Sequence, residues 1–393
     1  MRPIHDHFTT LGLGEFRYFK RPVAISQTDK AQHVLLLGQT GTGKSTLMQN
    51  LVAQDAARGQ GFCLIDPHGD LAEAVCAQNY DNVLHWDVAD PTCSLGYNPL
   101  TRTSEALRPV VASGLIEALK KQWADAWGAR MEHLLRYAIL ALLEQPRADL
   151  RDIMRLFTER SFQNQVLARV TDEQVRSFWL QEYPALNYKS AADGVAPIAN
   201  KLGAFLAHPL VRKAMCKPQE PIRFRRLMDQ GGRLVVNLSK GRLGGDTANV
   251  LGGLITASIL HAAFTRQDQP EAARRPFSLY VDEFHNFSTD AFANLLSEIR
   301  KYGVSVTMAQ QNLQQNDPEV QNALLGNVGT LIAFRLGVFD TPIMTKQMPD
   351  RTSQDFTQLP NYRAFAQVMC GGMRSDAFTL YTLPPKQPCT TPQ

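Results

Sequence analysis

The stretch "HVLLLGQTGTGKST" (residues 33–46) decides the fold of this chain. Strand-like apolar residues run into a loop with three glycines, which a lysine and two hydroxyl side chains follow. The loop fits the pattern G-x-x-x-x-G-K-[ST], with Gly38, Gly43, Lys44 and Ser45 in the fixed positions. Glycines let backbone N–H groups approach phosphate oxygens, and the helix that follows presents its positive N-terminus. The sequence therefore predicts a phosphate-binding loop between a strand and a helix; a glycine turn without a ligand is the alternative.

The residue types in this loop predict its contacts to a magnesium nucleotide. Lys44 is expected to reach the β- and γ-phosphates, and the Ser45 hydroxyl is expected to hold Mg²⁺. ATP and Mg²⁺ are therefore the predicted cofactors. The predicted nucleotide-binding residues are Gly38, Thr40, Gly41, Thr42, Gly43, Lys44, Ser45 and Thr46.

Short apolar runs like the one before the loop recur along the chain. They are continuous rather than alternating, which is typical of strands buried on both faces of a parallel sheet. Helix-like stretches separate several of them, at 44–58, 249–265 and 289–301, so the predicted class is α/β. The predicted strands lie at residues 33–37, 62–65, 83–86, 233–238, 277–281, 304–308 and 329–334.

Two adjacent carboxylates end one of these runs, in "PFSLYVDEFHNF" (residues 276–287). Ligands of open α/β sheets bind at the carboxyl ends of strands, so Asp282 and Glu283 are expected beside the phosphate loop. Asp282 is predicted to organise Mg²⁺, and Glu283 to polarise a water for in-line attack on the γ-phosphate. The alternative is a surface pair that caps a helix. The sequence has no N-K-x-D motif for guanine, which favours an ATP-hydrolysing machine over a GTPase switch.

One long interval departs from the alternation of strands and helices. Residues 101–222 contain no convincing strand and show helical spacing of apolar residues, which predicts an inserted all-α domain. The interval has 17 Lys plus Arg against 13 Asp plus Glu, so it accounts for the whole chain's net charge of +4. Its three tryptophans indicate helix packing, with contact to bases or to a partner as the alternative. The predicted domains are 1–100 and 223–393, which together form the ATPase domain, and 101–222, the insertion.

The remaining features set broad limits. The pI of about 8.7 permits a nucleic-acid partner without requiring one. The six scattered cysteines indicate reduced thiols of a cytosolic protein, and residues 1–16 lack the apolar core of a signal peptide. The uncharged segment 247–265 is predicted to be a buried helix, with a membrane span as the alternative. Residues 362–385 predict two short strands around a Gly-Gly turn, a hairpin at the sheet margin.

Taken in order, these motifs resemble those of the HerA/FtsK-like superfamily of hexameric DNA-pumping ATPases. Within it, the chain looks most like the coupling proteins of conjugation and type IV secretion and their soluble relatives. The resemblance spans about residues 30–385 and implies a RecA-like P-loop ATPase core, a mostly parallel central sheet, an inserted all-α domain, and a ring with ATP at its subunit interfaces. The segments that carry it are "GQTGTGKST", "FCLIDPHGDL", "WGARMEHLLRYAILALL", "LVVNLSKGRLG", "YVDEFHNF", "EIRKYGVSVTMAQQN" and "GNVGTLIAFRLG".

The resemblance also implies roles for single residues. Lys44 and Ser45 match the family's phosphate and magnesium positions, and Asp282 and Glu283 match its acidic pair. The predicted catalytic set is completed by two further residues, Arg300 and Gln311.

Arg300 matches the arginine that the family offers to a neighbour's γ-phosphate, and Gln311 matches a nucleotide-sensing glutamine at a strand end. Arg335 is a second candidate for the arginine. Asp66 is expected near the phosphate loop, where it would order either the site or an interface.

The leading hypothesis is an ATP-driven DNA translocase that works as a homo-oligomeric, hexameric ring. A ring that delivers, docks or unfolds a protein substrate is the second, with the all-α domain as adaptor, and a slow nucleotide-dependent switch is the third. About 30 residues precede the core without a plausible membrane span, so no direct membrane insertion is expected. The chain is then a soluble member of the family, or its anchor is a separate chain, or a preceding segment is absent from the sequence. The expected location is cytoplasmic, with a peripheral position at the inner membrane as the alternative. Expected partners are DNA and a membrane-channel or relaxase-type protein.

Overall fold

A computed structural model of the protein describes residues 8–16, 19–185 and 194–385. The chain divides into two compact units. The first unit comprises residues 1–85, 225–239 and 263–393, and the second comprises residues 86–224 and 240–262. The predicted insertion, 101–222, lies within the second unit, which extends beyond it on both sides; its standing as a separate domain stays a prediction.

The described residues form 15 strands. In chain order these are β1 (Thr9–Phe16), β2 (Phe19–Ile25), β3 (Val34–Leu37), β4 (Gly61–Asp66), β5 (Val83–Asp87), β6 (Leu95–Gly96), β7 (Glu220–Pro221), β8 (Arg233–Asn237), β9 (Phe277–Val281), β10 (Val304–Gln310), β11 (Thr330–Ala333), β12 (Arg363–Gln367), β13 (Met369–Cys370), β14 (Met373–Arg374) and β15 (Phe378–Tyr381). All seven predicted strands are present.

The same residues form 18 α-helices. These are α1 (Gln27–Lys30), α2 (Lys44–Ala57), α3 (Asp70–Cys76), α4 (Arg108–Gln122), α5 (Ala129–Leu143), α6 (Arg151–Thr158), α7 (Arg160–Leu167), α8 (Glu173–Ser177), α9 (Tyr183–Ala185), α10 (Val195–Ala207), α11 (Pro209–Met215), α12 (Phe224–Gln230), α13 (Lys240–Leu243), α14 (Gly245–Phe264), α15 (Asp290–Ile299), α16 (Pro318–Asn327), α17 (Thr341–Gln347) and α18 (Ser353–Thr357).

Eleven strands form one sheet in the order β2-β1-β15-β12-β11-β3-β10-β9-β4-β8-β5. The pairs β11–β3, β3–β10, β10–β9, β9–β4 and β4–β8 are parallel. Strands β3, β4, β9, β10 and β11 are buried at every position, which explains their continuous apolar sequences. Because these strands run the same way, their carboxyl ends meet at one edge of the sheet, where ligands of such sheets bind.

One prediction about the sheet is wrong. The C-terminal hairpin forms, since β12 pairs antiparallel with β15, but it does not lie at the sheet margin. Strand β1 pairs with β15, and β2 then forms the edge. The N-terminal hairpin escaped prediction because "TTLGLGEF" and "FKRPVAI" lack long apolar runs, and β2 is mostly exposed.

A buried ion pair connects the helix after the phosphate loop to the strand that ends in the acidic pair. Lys30 Nζ donates to both carboxylate oxygens of Asp55 on α2, at 2.9 and 2.7 Å, and to Tyr280 Oη on β9 at 2.9 Å. Tyr280 in turn donates to Asp55 at 2.6 Å. Burial lowers the pKa of Lys30, while the Asp55 carboxylate acts in the opposite direction. The network fixes α2 against β9, the two elements that carry the catalytic motifs.

Replacement of Asp55 by alanine is expected to lower the free energy of unfolding by about 3–5 kcal/mol, because it leaves the Lys30 ammonium buried without a counter-charge. Urea-induced unfolding would measure this loss. The Lys30→Met/Asp55→Leu double variant is expected to recover most of it, since no charge is then left buried. Asp81→Ala, at an exposed position of the first unit, is the matched control. Equal unfolding midpoints for the Asp55 and Asp81 variants would contradict the role assigned to the network.

The second unit is mainly helical. Trp123 and Trp179 are buried within it, at 5% and 1% exposure, in accord with helix packing. Trp127 is half-buried, and its indole N–H donates to Glu132 at 2.9 Å. Within the described part of the chain, one helix, Gly245–Asp268, is long and apolar enough to cross a membrane, and 67% of its most apolar window is buried. The predicted buried helix over 247–265 is therefore present.

Candidate nucleotide-binding site

Nine of the twelve predicted site residues line one cavity at the carboxyl ends of the parallel strands; Gly38, Thr42 and Arg300 do not. The cavity has a volume of about 330 Å³. Its walls are the loop after β3, the start of α2, the turn after β4, and the residues that follow β9 and β10. The lining residues are Thr40, Gly41, Gly43, Lys44, Ser45, Thr46, Asp66, His68, Asp70, Leu71, Asp282, Glu283, Gln311 and Tyr362.

Two of the fixed glycines are required by close packing around the loop. Gly38 has φ +155°, and a Cβ there would lie 2.6 Å from Cβ of Phe334. Gly43 has φ +120°, and a Cβ there would lie 3.1 Å from the Phe334 and Tyr362 rings. The loop is also held by Thr42, whose hydroxyl donates to the Gln39 carbonyl at 2.7 Å. The backbone geometry of a phosphate cradle therefore depends on these glycines and on the distant residues that pack against them.

Lys44 is 5% exposed and bonded to the loop that precedes it. Its ammonium donates to the carbonyl oxygens of Gly38 at 2.6 Å and Gln39 at 3.1 Å. Burial lowers the pKa of Lys44, and the carboxylates of Glu283 and Asp282 act against this shift. A buried cation at the head of a helix, with two carboxylates facing it, has the donor set of a site for a magnesium nucleotide.

Asp282 lies beside a second buried acid. The parallel register pairs Ile65 with Val281, which brings Asp66 and Asp282 to the same sheet edge. Burial raises the pKa of Asp282 to about 7, and repulsion from Asp66 and Glu283 adds to this shift. Asp66 is fully buried, and its carboxylate accepts from the backbone N–H of His68 and of Ala72, both at 2.9 Å. Asp66 therefore orders the turn after β4. Asp282 is the carboxyl group whose ionised form a divalent cation would stabilise.

Glu283 has an unusual backbone conformation, with φ 46° and ψ 48°. A non-glycine residue in this left-handed region is under strain, and such strain concentrates at functional sites. The side chain is 7% exposed, and Gln311 Nε2 donates to its Oε1 at 3.3 Å. His285 Nδ1 lies 3.4 Å from its other oxygen. The structure thus places the predicted base and the predicted sensor in contact.

Replacement of Asp282 by asparagine is expected to raise the thermal stability of the protein without magnesium or nucleotide. The pKa of Asp282 is raised from 3.8 to about 7 in the folded protein. The protonated side chain therefore stabilises the fold fully below pH 3.8, and this stabilisation is lost as the pH rises toward about 7. At pH 8 the asparagine variant should melt about 2–4 °C higher if the relief of repulsion is ~1 kcal/mol. The difference in melting temperature between the variant and the wild type should become smaller as the pH falls from 7 toward 4.

Thermal unfolding in EDTA across this pH range would measure the effect. Asp350→Asn, at an exposed position of the same unit, is the control and should show no such pH dependence. A lower melting temperature for Asp282→Asn at pH 8 would contradict the assignment.

The two candidate arginines occupy different places. Arg300 is exposed and lies in the turn before β10, whereas the cavity is at the other end of that strand. The strand has seven residues and is about 20 Å long, so Arg300 does not reach the cavity of its own subunit. Arg335 packs against its own phosphate loop, since its Nε donates to Gln39 Oε1 at 3.2 Å. Arg335 is therefore bonded within its own subunit, whereas Arg300 is exposed on the surface.

Some lining residues were not identified in the sequence. His68, Asp70 and Leu71 belong to the quoted "IDPHGDL" segment, so the signal was present but gave no side-chain roles. Tyr362 precedes β12, far along the chain, and its backbone N–H donates to the Thr42 carbonyl at 2.7 Å. Nothing in the sequence near Tyr362 marks this contact, because it depends on how β12 joins the sheet.

The glycine-rich segment 239–246 does not contribute to this cavity. Residues Lys240–Leu243 form α13, and α14 begins at Gly245. Arg242 pairs with Asp87 at 3.2 Å and donates to the Ala89 carbonyl at 2.6 Å. The segment is therefore mostly helical, and its arginine is paired with Asp87 and Ala89.

The site has three parts that identify its class. A glycine loop leads from a buried parallel strand into a helix, a buried lysine stands at the head of that helix, and adjacent carboxylates end a neighbouring strand. The fold and site together define a P-loop nucleotide triphosphatase.

Two family models match the sequence. Residues 18–179 match the family described as the type IV secretion-system coupling protein DNA-binding domain. Residues 276–344 match the family described as the TraM recognition site of TraD and TraG. Together with the fold, these two matches support a coupling-protein-like P-loop ATPase, as the motifs predict. No curated protein matches the sequence.

Solved structures share the fold. The bacterial conjugative coupling protein TrwBdeltaN70 is similar with a TM-score of 0.68 at 18% identity, over 93% of this chain and 87% of that one. The plasmid coupling protein TrwB in complex with ADP and Mg²⁺ gives a TM-score of 0.67 at 18% identity, over 93% of this chain and 88% of that one. VirB4 of Thermoanaerobacter pseudethanolicus gives a TM-score of 0.61 at 15% identity, over 95% of this chain and 96% of that one. The predicted α/β class with a RecA-like core and an all-α part is therefore confirmed.

Proposed function

We propose that this protein is an ATP-hydrolysing motor that translocates DNA as a homo-oligomeric ring. The observation that carries the proposal is the meeting of Lys44, Asp282, Glu283 and Gln311 in one cavity of a chain whose residues 18–179 match a coupling-protein DNA-binding family. Similar solved structures include TrwB with ADP and Mg²⁺ and TrwB with a non-hydrolysable ATP analogue. ATP is therefore the proposed substrate and Mg²⁺ the proposed cofactor.

The cavity residues have separate roles in this proposal. The loop N–H groups and Lys44 bind the phosphates, for which Lys44 exchanges its carbonyl partners in the loop for phosphate oxygens. Ser45 and Asp282 would hold the magnesium ion, which neutralises charge that develops on the transferred phosphoryl group. Glu283 accepts a proton from the attacking water, and Gln311 fixes the orientation of the Glu283 carboxylate.

Hydrolysis then depends on assembly. Arg300 is exposed at the sheet end opposite its own cavity, so in a head-to-tail ring it would meet the γ-phosphate bound by a neighbour. An arginine supplied in this way stabilises the charge of the transition state and couples ATP turnover to the ring. A hexamer is the proposed state.

The family matches also suggest the partners. The DNA-binding family over residues 18–179 favours DNA, which backbone contacts would grip without reading sequence. The match over residues 276–344, to a protein recognition site, favours a protein partner from the DNA-processing assembly. We propose a cytoplasmic location, with a peripheral position at the inner membrane as the alternative.

The same protein recognition match keeps a second function in view, a ring that delivers or unfolds a protein substrate. The two functions differ in what activates the enzyme. A DNA motor is stimulated by DNA and loses stimulation as salt rises, because phosphate contacts release counterions. A protein-handling ring is stimulated by its protein substrate and is indifferent to DNA.

The test is ATP hydrolysis by the full chain with and without single-stranded and duplex DNA, at 50 and 200 mM salt, together with the particle mass in solution. The proposal predicts DNA stimulation in a ring-sized particle, lost in Lys44→Ala and weakened by salt. Lys301→Ala, at an exposed position outside the cavity, should behave as the wild type. Hydrolysis that is indifferent to DNA at both salt concentrations would overturn the DNA motor in favour of the protein-handling ring.

A further inference from the structure

The second unit contains a cavity of about 610 Å³ that is separate from the nucleotide site. Residues 98–102, 146–155 and 216–223 form its walls, together with Phe162 of α7. Six cations line it against two carboxylates, a net charge of +4 that equals the excess of the whole chain. The cations are Arg102, Arg147, Arg151, Arg155, Lys217 and Arg223.

Both carboxylates of this basic cavity are already paired. Asp149 accepts from Arg151 Nη2 at 2.6 Å and from its Nε at 2.9 Å. Asp152 accepts from Arg155 Nη1 at 2.8 Å. The other four cations are exposed, and within the described residues none of them forms an ion pair. The charge that faces the basic cavity is therefore uncompensated.

The walls are held in place before any ligand binds. Asn98 Nδ2 donates to the Ala148 carbonyl at 2.6 Å, which joins the first wall segment to the second. The guanidinium of Arg155 lies 3.8 Å from the centre of the Phe162 ring, a cation–π contact that fixes α6 against α7. These contacts preform the backbone of the walls, so the side chains of the four exposed cations are what remains to be ordered at binding. Like charges on neighbouring walls repel one another, so an anionic ligand that binds between them lowers this repulsion.

We propose that the basic cavity binds the phosphate backbone of single-stranded DNA, which makes it the DNA-holding site of the motor proposed above and rests on that function. Five of its six cations are arginines, whose planar guanidinium groups bind phosphate oxygens in pairs. The volume is in the range that admits a small-molecule-sized ligand, so one or two nucleotides enter and a duplex does not. Binding through phosphates carries little sequence information, as a translocase requires.

The experiment measures binding of a fluorescein-labelled oligothymidylate to the full chain by anisotropy from 50 to 300 mM NaCl. The test variant is Arg147→Glu/Lys217→Glu. The control is Arg169→Glu/Arg176→Glu, which makes the same change of charge at exposed positions of the second unit outside the basic cavity. ATP hydrolysis without DNA should be equal in all three proteins, because none of these residues lines the nucleotide site, and it verifies folding.

The test variant is expected to bind more than about 10-fold more weakly at 50 mM NaCl, and the control within about 2-fold of the wild type. The slope of log affinity against log salt should fall by about 1.4 in the test variant, since each lost phosphate contact on a single strand contributes about 0.7. Equal losses in both variants would overturn the inference. So would an equally tight, equally variant-sensitive interaction with duplex DNA or with polyglutamate, which would indicate a different ligand.

Failure of this inference is distinguishable from failure of the proposed function. If DNA stimulates ATP hydrolysis by the wild type and by the test variant with the same half-saturating concentration, the motor function stands and the basic cavity is not its DNA site. If DNA fails to stimulate the wild type, the motor function itself is overturned.

Discussion

Replacement of Arg300 by alanine is expected to lower ATP hydrolysis by the assembled protein by about 10³-fold or more, while ATP binding stays unchanged. The physical reason is distance: Arg300 is in the turn before β10, and the cavity is at the far end of that strand, so Arg300 acts on a neighbour's nucleotide or not at all. Steady-state hydrolysis and binding of a fluorescent ATP analogue would separate the two effects. Lys301→Ala is the matched control, since Lys301 is exposed in the same turn.

A mixing experiment tests action between subunits directly. A ring formed from equal amounts of Arg300→Ala and Lys44→Ala subunits contains interfaces where an intact loop meets an intact arginine. Random mixing places about one quarter of the sites in this state, so the mixture should recover about a quarter of wild-type activity although each variant alone is inactive. A mixture no more active than its components would show that Arg300 does not act across an interface.

The second large effect is expected from Glu283→Gln. The substitution keeps the shape of the side chain and removes its capacity to accept a proton, so kcat should fall by about 10²–10⁴-fold. Binding of ATP should persist, because Lys44 and the loop are intact. The amide can also keep a hydrogen bond to Gln311, which lies 3.3 Å away in the wild type.

Single-turnover hydrolysis together with nucleotide binding would measure this loss. Glu298→Gln, an exposed glutamate on α15, is the control and should retain full activity. Retention of more than about one tenth of wild-type kcat by Glu283→Gln would show that another group activates the water, since a general base contributes at least about 10²-fold. Parallel loss of ATP binding would instead assign Glu283 to magnesium coordination.

The sequence predicted those features whose geometry a short segment determines. The pattern of glycines, lysine and hydroxyls over residues 38–46 lies in one short segment, next to a strand that its neighbours in sequence provide. The acidic pair after β9 was also visible, because the position at the end of an apolar strand is a local property. The helical character of the described part of residues 101–222 followed from the spacing of apolar residues in the same way, but the short strand β7 at Glu220–Pro221 was not predicted.

Contacts between distant segments were not predicted to the same degree. The pKa of Asp282 is raised to about 7 because burial and Asp66 act on it, and Asp66 comes near only through the register of β4 and β9. Tyr362 reaches the loop because β12 joins the sheet beside β11. The place of the C-terminal hairpin was mispredicted, since the partner that displaces it from the margin, β1, is at the other end of the chain.

The basic cavity also combines a feature that was visible in the sequence with one that depends on the tertiary structure. The net charge of the insertion was countable in the sequence, but its concentration on one surface depends on three segments that are up to 125 residues apart. The sequence by itself therefore determined the class of the protein, its nucleotide loop and its acidic pair, because those motifs specify their own backbone. Only the tertiary structure decided which side chains interact electrostatically, line the same cavity or meet at the same strand end. The reason is that electrostatic and packing energies depend on distances that folding sets.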